Sequence, residues 1–225
     1  MMVKGIFITG TDTDVGKTVI TACVTTALMR KGKKVAVYKP VQCGNLLKEK
    51  IKSPDLALVR SLSGIPENCL FNDYSFKFAS SPHLAAELEN RKVNAKIIKN
   101  HFKELSKRFD YILAEGAGGL MVPLTRSYMV LDLISDLSVP ALVVSRAGLG
   151  TINHTTLTIN ALKSKKIKII GVVMNCFKGG KVEEDDKKII HQLNDVPVIG
   201  CVPYSKTLKK LADNFEAYVD INKLL

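Results

Sequence analysis

The chain has 225 residues, of which 46% are apolar and only 6% aromatic, with no tryptophan; that suits a Val, Ile, Leu and Ala core large enough to need no disulfide or metal staple. Thirty-three Lys and Arg against twenty-one Asp and Glu give a net charge of +12, carried in short lysine runs such as Arg30 to Lys34 and Lys163 to Lys168. No basic strand carries interleaved aromatics, so the excess reads as a solvated surface that also favours small anionic substrates, and not as a nucleic-acid face.

In chain order, Val3 to Thr9 reads as a buried strand and Gly16 to Arg30 as a helix stopped by Gly32. Lys34 to Tyr38 is a second strand, and Ser53-Pro54 opens a helix that ends near Gly64. Asn94 to Arg108 is a helix, and Tyr111 to Glu115 is an apolar strand ending in an acid. Tyr128 to Leu137 reads as helix, Ala141 to Ser145 as strand and Thr151 to Lys163 as helix. Ile167 to Asn175 is a strand, Val182 to Leu193 a charged helix, Val198 to Val202 a strand, and Lys206 to Tyr218 a last helix. Strands spaced by helices predict an α/β fold with a mostly parallel sheet covered on both faces, as one domain over residues 1–225. The loops after the strands then share one edge, where ligands bind in such folds.

Five cysteines, at 23, 43, 69, 176 and 201, form no C-x-x-C pair and predict reduced thiols in a cytoplasmic protein. The N-terminus lacks the layout of a signal peptide, and no apolar run approaches the ~20 residues of a membrane span.

The segment Gly10-Thr11-Asp12-Thr13-Asp14-Val15-Gly16-Lys17-Thr18 follows the first strand and opens the first long helix. Backbone N–H groups of such a loop, aided by the helix dipole, face phosphate oxygens. Lys17 is placed to reach the β- and γ-phosphates and Thr18 to hold Mg²⁺. The loop has five residues, not the usual four, between its first Gly and Gly-Lys-Thr. Its strand–loop–helix context still predicts the P-loop NTPase fold and a nucleotide site through Asp14, Val15, Gly16, Lys17, Thr18 and Val19. Glu115, followed by Gly116-Ala117-Gly118-Gly119, stands where an acid holds Mg²⁺ and small residues admit a ligand.

With these residues in view, the chain resembles the dethiobiotin synthetase family. The matching stretches are the five-residue loop form at 10–18, Tyr38-Lys39-Pro40-Val41-Gln42-Cys43-Gly44, Asp55, Ser81-Pro82-His83-Leu84-Ala85-Ala86, Glu115 to Gly119, and Gly148-Leu149-Gly150-Thr151-Ile152-Asn153-His154. The resemblance implies an ATP-dependent cyclo-ligase that makes dethiobiotin from 7,8-diaminopelargonic acid, CO₂ and a nucleoside triphosphate. Its route passes through a carbamate and a carbamic–phosphoric anhydride. Lys39, Lys17 and Thr11 are the implied catalytic residues, and Thr18, Asp55 and Glu115 the implied Mg²⁺ ligands. Asn175, Cys176, Pro203, Tyr204 and Ser205 are expected around the nucleobase, with ATP, CTP and GTP left open. Cys43 is expected against the substrate, where the family usually shows Ser or Thr. Gly150, Thr151 and Asn153 are expected to receive the substrate carboxylate across a homodimer interface, although a plain helix cap at Thr151 is the alternative. The family's tyrosine on the helix after Asn175 is missing, and Lys187 or Lys188 is the candidate cation to take its place. His83 and His154 are expected to position and not to react.

Three other classes fit less well. Partitioning ATPases that bind DNA or membrane carry a lysine five residues before the loop lysine, where this chain has Asp12. A guanine-specific switch needs Asn-Lys-x-Asp, and the chain reads Asn175-Cys176-Phe177-Lys178. Amide synthetases of the same fold carry a further glutamine-hydrolysing domain, for which 225 residues leave no room.

Overall fold

The computed structural model describes residues 4–45 and 53–225, so Val3, at the start of the predicted first strand, lies outside it. The elements are β1 (Lys4–Gly10), α1 (Lys17–Arg30), β2 (Val35–Tyr38), β3 (Val41–Gln42), α2 (Pro54–Ser63), β4 (Leu70–Phe71), β5 (Tyr74–Ser75), α3 (Pro82–Leu88) and α4 (Ala95–Ser106). They continue as β6 (Tyr111–Gly119), β7 (Pro123–Thr125), β8 (Tyr128–Met129), α5 (Val130–Leu137), β9 (Ala141–Arg146), α6 (Thr151–Ser164), β10 (Ile169–Phe177), α7 (Lys181–Asn194), β11 (Val198–Pro203) and α8 (Leu208–Asp213).

Seven strands form one sheet in the order β11-β10-β9-β1-β6-β2-β4, and every neighbouring pair is parallel. Alternation along β1 shows why both faces are covered. Ile6 and Ile8 pack with α1, α2 and α8, whereas Phe7 points into the core under α3 to α7. On α4 the buried residues Ile98, Phe102 and Leu105 fall on one helical face, each contributing about 1.5–3 kcal/mol by leaving water. Parallel pairing sends the C-terminal ends of all seven strands to one edge. The chain reverses its winding direction around β1, which makes the space above β1 and β6 the crevice of this fold.

Three predicted elements differ. Tyr128 and Met129 do not begin the helix; they pair antiparallel with β7, and α5 starts at Val130 with Asp132 Oδ2 accepting from Met129 N at 2.9 Å. Glu115 does not end its strand, because β6 runs on through small residues until Gly119 pairs with Gly10. The last helix is not continuous: α8 stops at Asp213, and a 3₁₀ turn at Phe215–Ala217 brings Phe215 and Val219 into the core. The final residues bury Ile221 and Leu224, and Tyr111 donates its hydroxyl to Leu225 O at 3.1 Å. Tyr111 begins β6, so this tail closes the edge opposite the strand C-termini and does not cover the phosphate loop. The short elements β3, β4, β5 and α3 had no sequence forecast; β3 and β5 pair in parallel beside the main sheet.

Candidate active site

The phosphate loop leaves β1 with Thr11 N donating to Val144 O at 3.0 Å and enters α1 at Lys17. Gly16 precedes the helix with φ 95°, and no side chain caps the first N–H groups of α1. A Cβ at Gly16 would stand 2.0 Å from Asn175 Nδ2, which itself donates to Val15 O at 2.9 Å. Only glycine fits there, because both the left-handed backbone and the close approach exclude a side chain. Lys17 is buried, and its Nζ folds back to Asp12 O at 2.7 Å.

Opposite the loop, Lys39 follows the end of β2 and is only 4% exposed. Its ammonium donates to Asp55 Oδ2 at 2.6 Å, to Glu115 Oε1 at 2.8 Å and to Gly116 O at 3.0 Å. Burial alone would lower its pKa, but Glu115 and Asp55 together outweigh that and raise it above the ordinary lysine value. Lys17 moves the other way: burial first, then the Lys39 charge, pull its pKa down, and Glu115 and Asp55 offset this only in part. Asp55 reaches the site because Ser53 Oγ caps α2, accepting from Leu56 N at 3.2 Å. Glu115 is 2% exposed and takes hydrogen bonds from Thr18 Oγ1 at 2.9 Å and from Thr21 Oγ1 at 2.7 Å.

Thr18, Asp55 and Glu115 present only hydroxyl and carboxylate oxygens, the hard donors that Mg²⁺ takes, and Thr18 and Glu115 already touch. Among the described residues no group of three or more His, Cys, Asp or Glu could hold a metal alone. The set therefore fits an ion that also takes phosphate and water oxygens, as Mg²⁺ does in phosphoryl-transfer sites.

A cavity of about 800 Å³ opens here, lined by the phosphate loop, Lys39, Cys43, Asp55, Ser81 and Glu115. Asp14, Gly16, Lys17, Thr18, Val19, Ala117 and Gly118 share that lining. Burial raises the Cys43 thiol to about 11, so it stays protonated at neutral pH. Thr11 opens the loop half-buried and is not among the lining residues. Asn175 pairs with Val202 and Phe177 with Pro203 where β10 and β11 end together, with Cys176 at the irregularity between them, Tyr204 exposed and Ser205 half-buried just beyond. The Asn175 contact with Val15 and Gly16 places this corner against the loop.

Gly150, Thr151 and Asn153 stand apart, lining neither the cavity nor the lysine–carboxylate cluster. Gly150, with no side-chain cap, precedes α6, and Thr151 Oγ1 lies 3.5 Å from Thr155 Oγ1, so the threonine is not a plain helix cap. Leu149 beside them is fully exposed. On α7, Lys187 lies 3.9 Å from Glu184 and Lys188 is exposed, and neither lines the cavity. His83 Nδ1 sits 3.0 Å from Ser81 Oγ, beside the cavity wall, and His154 is exposed.

Sequence reasoning missed two supports. Thr21 lies one helical turn beyond Lys17, a spacing that could have marked it. Asn72 donates to Lys39 O at 2.6 Å across the β2–β4 pair, a contact that no local pattern announces.

Residues 4–212 match the family model described as an AAA domain. The chain is 39% identical over 221 residues to the ATP-dependent dethiobiotin synthetase of Thermodesulfovibrio yellowstonii, covering 93% of this chain and 92% of that protein. It is 36% identical to the enzyme of the same name from Nitrosopumilus maritimus over 99% of both chains. Among solved structures it is similar to apo McdA of Cyanthece, with TM-score 0.63 and 17% identity over 99% of this chain and 96% of that one. The septum site-determining protein MinD of Pyrococcus horikoshii, complexed with Mg-ADP, gives TM-score 0.60 at 16% identity over 99% and 89%. At such identity these two structures speak for the P-loop NTPase fold alone. No helix among the described residues is long and apolar enough to cross a membrane.

Proposed function

We propose that this chain, which belongs to the ATP-dependent dethiobiotin synthetase family and so is a ligase forming C–N bonds, joins CO₂ to 7,8-diaminopelargonic acid and closes the ureido ring of dethiobiotin. One amine of the substrate adds to CO₂ and loses a proton, giving a carbamate. A carbamate oxygen then attacks the γ-phosphorus of ATP and ADP departs, leaving a carbamic–phosphoric anhydride. The second amine attacks the carbonyl carbon, forms the second C–N bond and expels phosphate.

The observation that carries this reading is the Lys39 ammonium, held charged and buried at 2.6 and 2.8 Å from two carboxylates on the wall that faces Lys17. Two anions, a carbamate and a triphosphate, must meet, and fixed cations between them act as preorganised electrostatic stabilisation. Lys17 takes the phosphate side, Lys39 the carbamate oxygens, and Thr11 the oxygens of the group in transfer. Thr18, Asp55 and Glu115 would hold Mg²⁺, which when bound neutralises phosphate charge. Cys43 serves as substrate wall and not as nucleophile, since its thiol is protonated and the chemistry needs no covalent enzyme intermediate. Asn175, Cys176, Pro203, Tyr204 and Ser205 hold the base. Gly150, Thr151 and Asn153, remote from their own chain's cavity, complete the carboxylate end of a partner's site in a homodimer that works in the cytoplasm.

The test is phosphate release from Mg-ATP with and without the diamine and bicarbonate, with mass detection of dethiobiotin. One dethiobiotin per phosphate, dependent on the diamine, is expected. No response in ATP, CTP or GTP would reject the reading.

A further inference from the structure

We infer that Thr21 is a positioning residue that fixes the Glu115 carboxylate through its hydroxyl; this rests on the reading of Glu115 as a Mg²⁺ ligand beside the nucleotide. Glu115 has two oxygens with different neighbours. Oε1 faces the site, where it accepts from Lys39 Nζ at 2.8 Å and Thr18 Oγ1 at 2.9 Å. Oε2 turns inward and accepts from Thr21 Oγ1 at 2.7 Å. Thr21 is fully buried, so water does not replace it.

Other threonines on α1 show what Thr21 does differently. Thr25 donates to Thr21 O at 2.7 Å and Thr26 to Ala22 O at 3.0 Å, the ordinary bond of a helical threonine to the carbonyl one turn back. Thr21 has that option too, with Lys17 O at 2.9 Å, but it also has the carboxylate at 2.7 Å. A hydroxyl carries one proton, and the ionised acceptor takes it more strongly. Lys17, Thr18 and Thr21 share one face of α1, so the helix that carries the phosphate-loop lysine also sets the carboxylate. Without that hydroxyl, Oε2 is a buried carboxylate oxygen with no donor, and the carboxylate plane is free to turn Oε1 away from Thr18 and Lys39. Partners of metal-ligating carboxylates typically carry tenfold to hundredfold effects.

The experiment compares wild type with Thr21→Val, which keeps the shape and removes the hydroxyl, and Thr21→Ser, which keeps the hydroxyl and removes the methyl. Calorimetry with ADP as probe, in Mg²⁺ and in EDTA, reads the Mg²⁺-dependent gain in affinity. That gain should shrink about tenfold or more in Thr21→Val, with affinity in EDTA little changed. In turnover, kcat should fall by about tenfold to a hundredfold at unchanged KM for the diamine, and Thr21→Ser should recover most of both losses. A Thr21→Val enzyme with full Mg²⁺ dependence, or a Thr21→Ser enzyme as impaired as Thr21→Val, overturns the inference. If Thr21→Val does not fold, Thr21→Ser against Thr21→Cys, similar in size but a weaker donor, makes the same comparison. Wild type that makes no dethiobiotin would reject the proposed function, while the calorimetry still judges Thr21.

Discussion

Replacing Lys39 by Met keeps the aliphatic stem and removes the charge. The ammonium has three donor positions, and all are used, on Asp55, Glu115 and Gly116 O. Its loss leaves two carboxylates facing each other across a gap of a few ångströms. An unpaired charge left fully buried costs about 3–5 kcal/mol. Here the figure is smaller, because Asp55 is 30% exposed and Glu115 keeps its two threonine donors; about 2 kcal/mol at neutral pH follows after discounting for solvent screening. The catalytic loss is larger, because a preorganised donor to the transition state is worth roughly 10²–10³ in kcat. Nucleotide affinity should change little, since Lys17 and the loop remain. The pH dependence has a definite sign. The folded-state pKa of Lys39 is raised, so its contribution is fully present below the unfolded lysine value near ~10.4 and is lost only as pH rises through the higher folded value. Urea denaturation of both proteins from pH 7 to 11, with ADP calorimetry and dethiobiotin yield, checks all three points. Normal turnover by Lys39→Met, or a stability gap that closes well below the ordinary lysine range, would refute the reasoning.

Gly16→Ala should lower ADP affinity by more than tenfold, through a strained φ of 95° and a Cβ 2.0 Å from Asn175 Nδ2. Asn175→Ala in the same chain should restore part of that loss, and strictly additive losses would show that the two do not touch. Cys43, with its thiol at about 11 where an ordinary one lies near 9.0, holds about a hundredfold less thiolate at neutral pH. Iodoacetamide labelling followed by mass spectrometry should find it slow at pH 7 and faster as pH climbs toward 11. Asp132→Ala should cost about 1 kcal/mol at pH 7, because the carboxylate holds Met129 N at the start of α5. That hydrogen bond, then Lys165, depresses the Asp132 pKa, so the contribution is present above the unfolded value and lost as pH falls through the folded one. Denaturation midpoints of the two proteins should therefore converge in strong acid and stay apart at neutrality.

Local signals were legible because their physics is local. Ser53 before Pro54 caps α2, and Gly64 ends it in the left-handed conformation, as the residue types require. The phosphate loop was legible for the same reason: its strand, loop and helix are contiguous. Glu115 was harder, since periodicity stops where the side chains become small, yet backbone pairing carries β6 on to Gly119. A two-residue strand at Tyr128 has no period to detect, and pairing with β7 overrode the helical pattern beside it. The supports of the site were less legible: helical spacing puts Thr21 on the face of Lys17, but nothing local pairs it with Glu115 or Asn72 with Lys39. Thr21 reaches Glu115 across 94 positions, and Asn72 holds Lys39 across 33, so both depend on the order β1-β6-β2-β4.

Net charge shows the same limit from another side. The excess of +12 suggested capture of small anions, but a group of exposed lysines and arginines lies at the sheet edge away from the cavity. Lys33, Lys34, Lys107, Arg108, Lys165, Lys166 and Lys168 are exposed just before β2, β6 and β10, at the edge opposite the strand C-termini. Several of them follow the last turns of α1, α4 and α6, where cations complement the negative end of the helix dipole. A strand of seven residues spans about 23 Å, well beyond the roughly 8 Å over which charge is felt at physiological salt. At the site itself Lys17 and Lys39 stand against Asp14, Asp55 and Glu115, two positive charges against three negative. Under the proposed function, selection of an anionic substrate rests on where two buried ammonium groups are fixed, while the cations at the far edge complement helix ends.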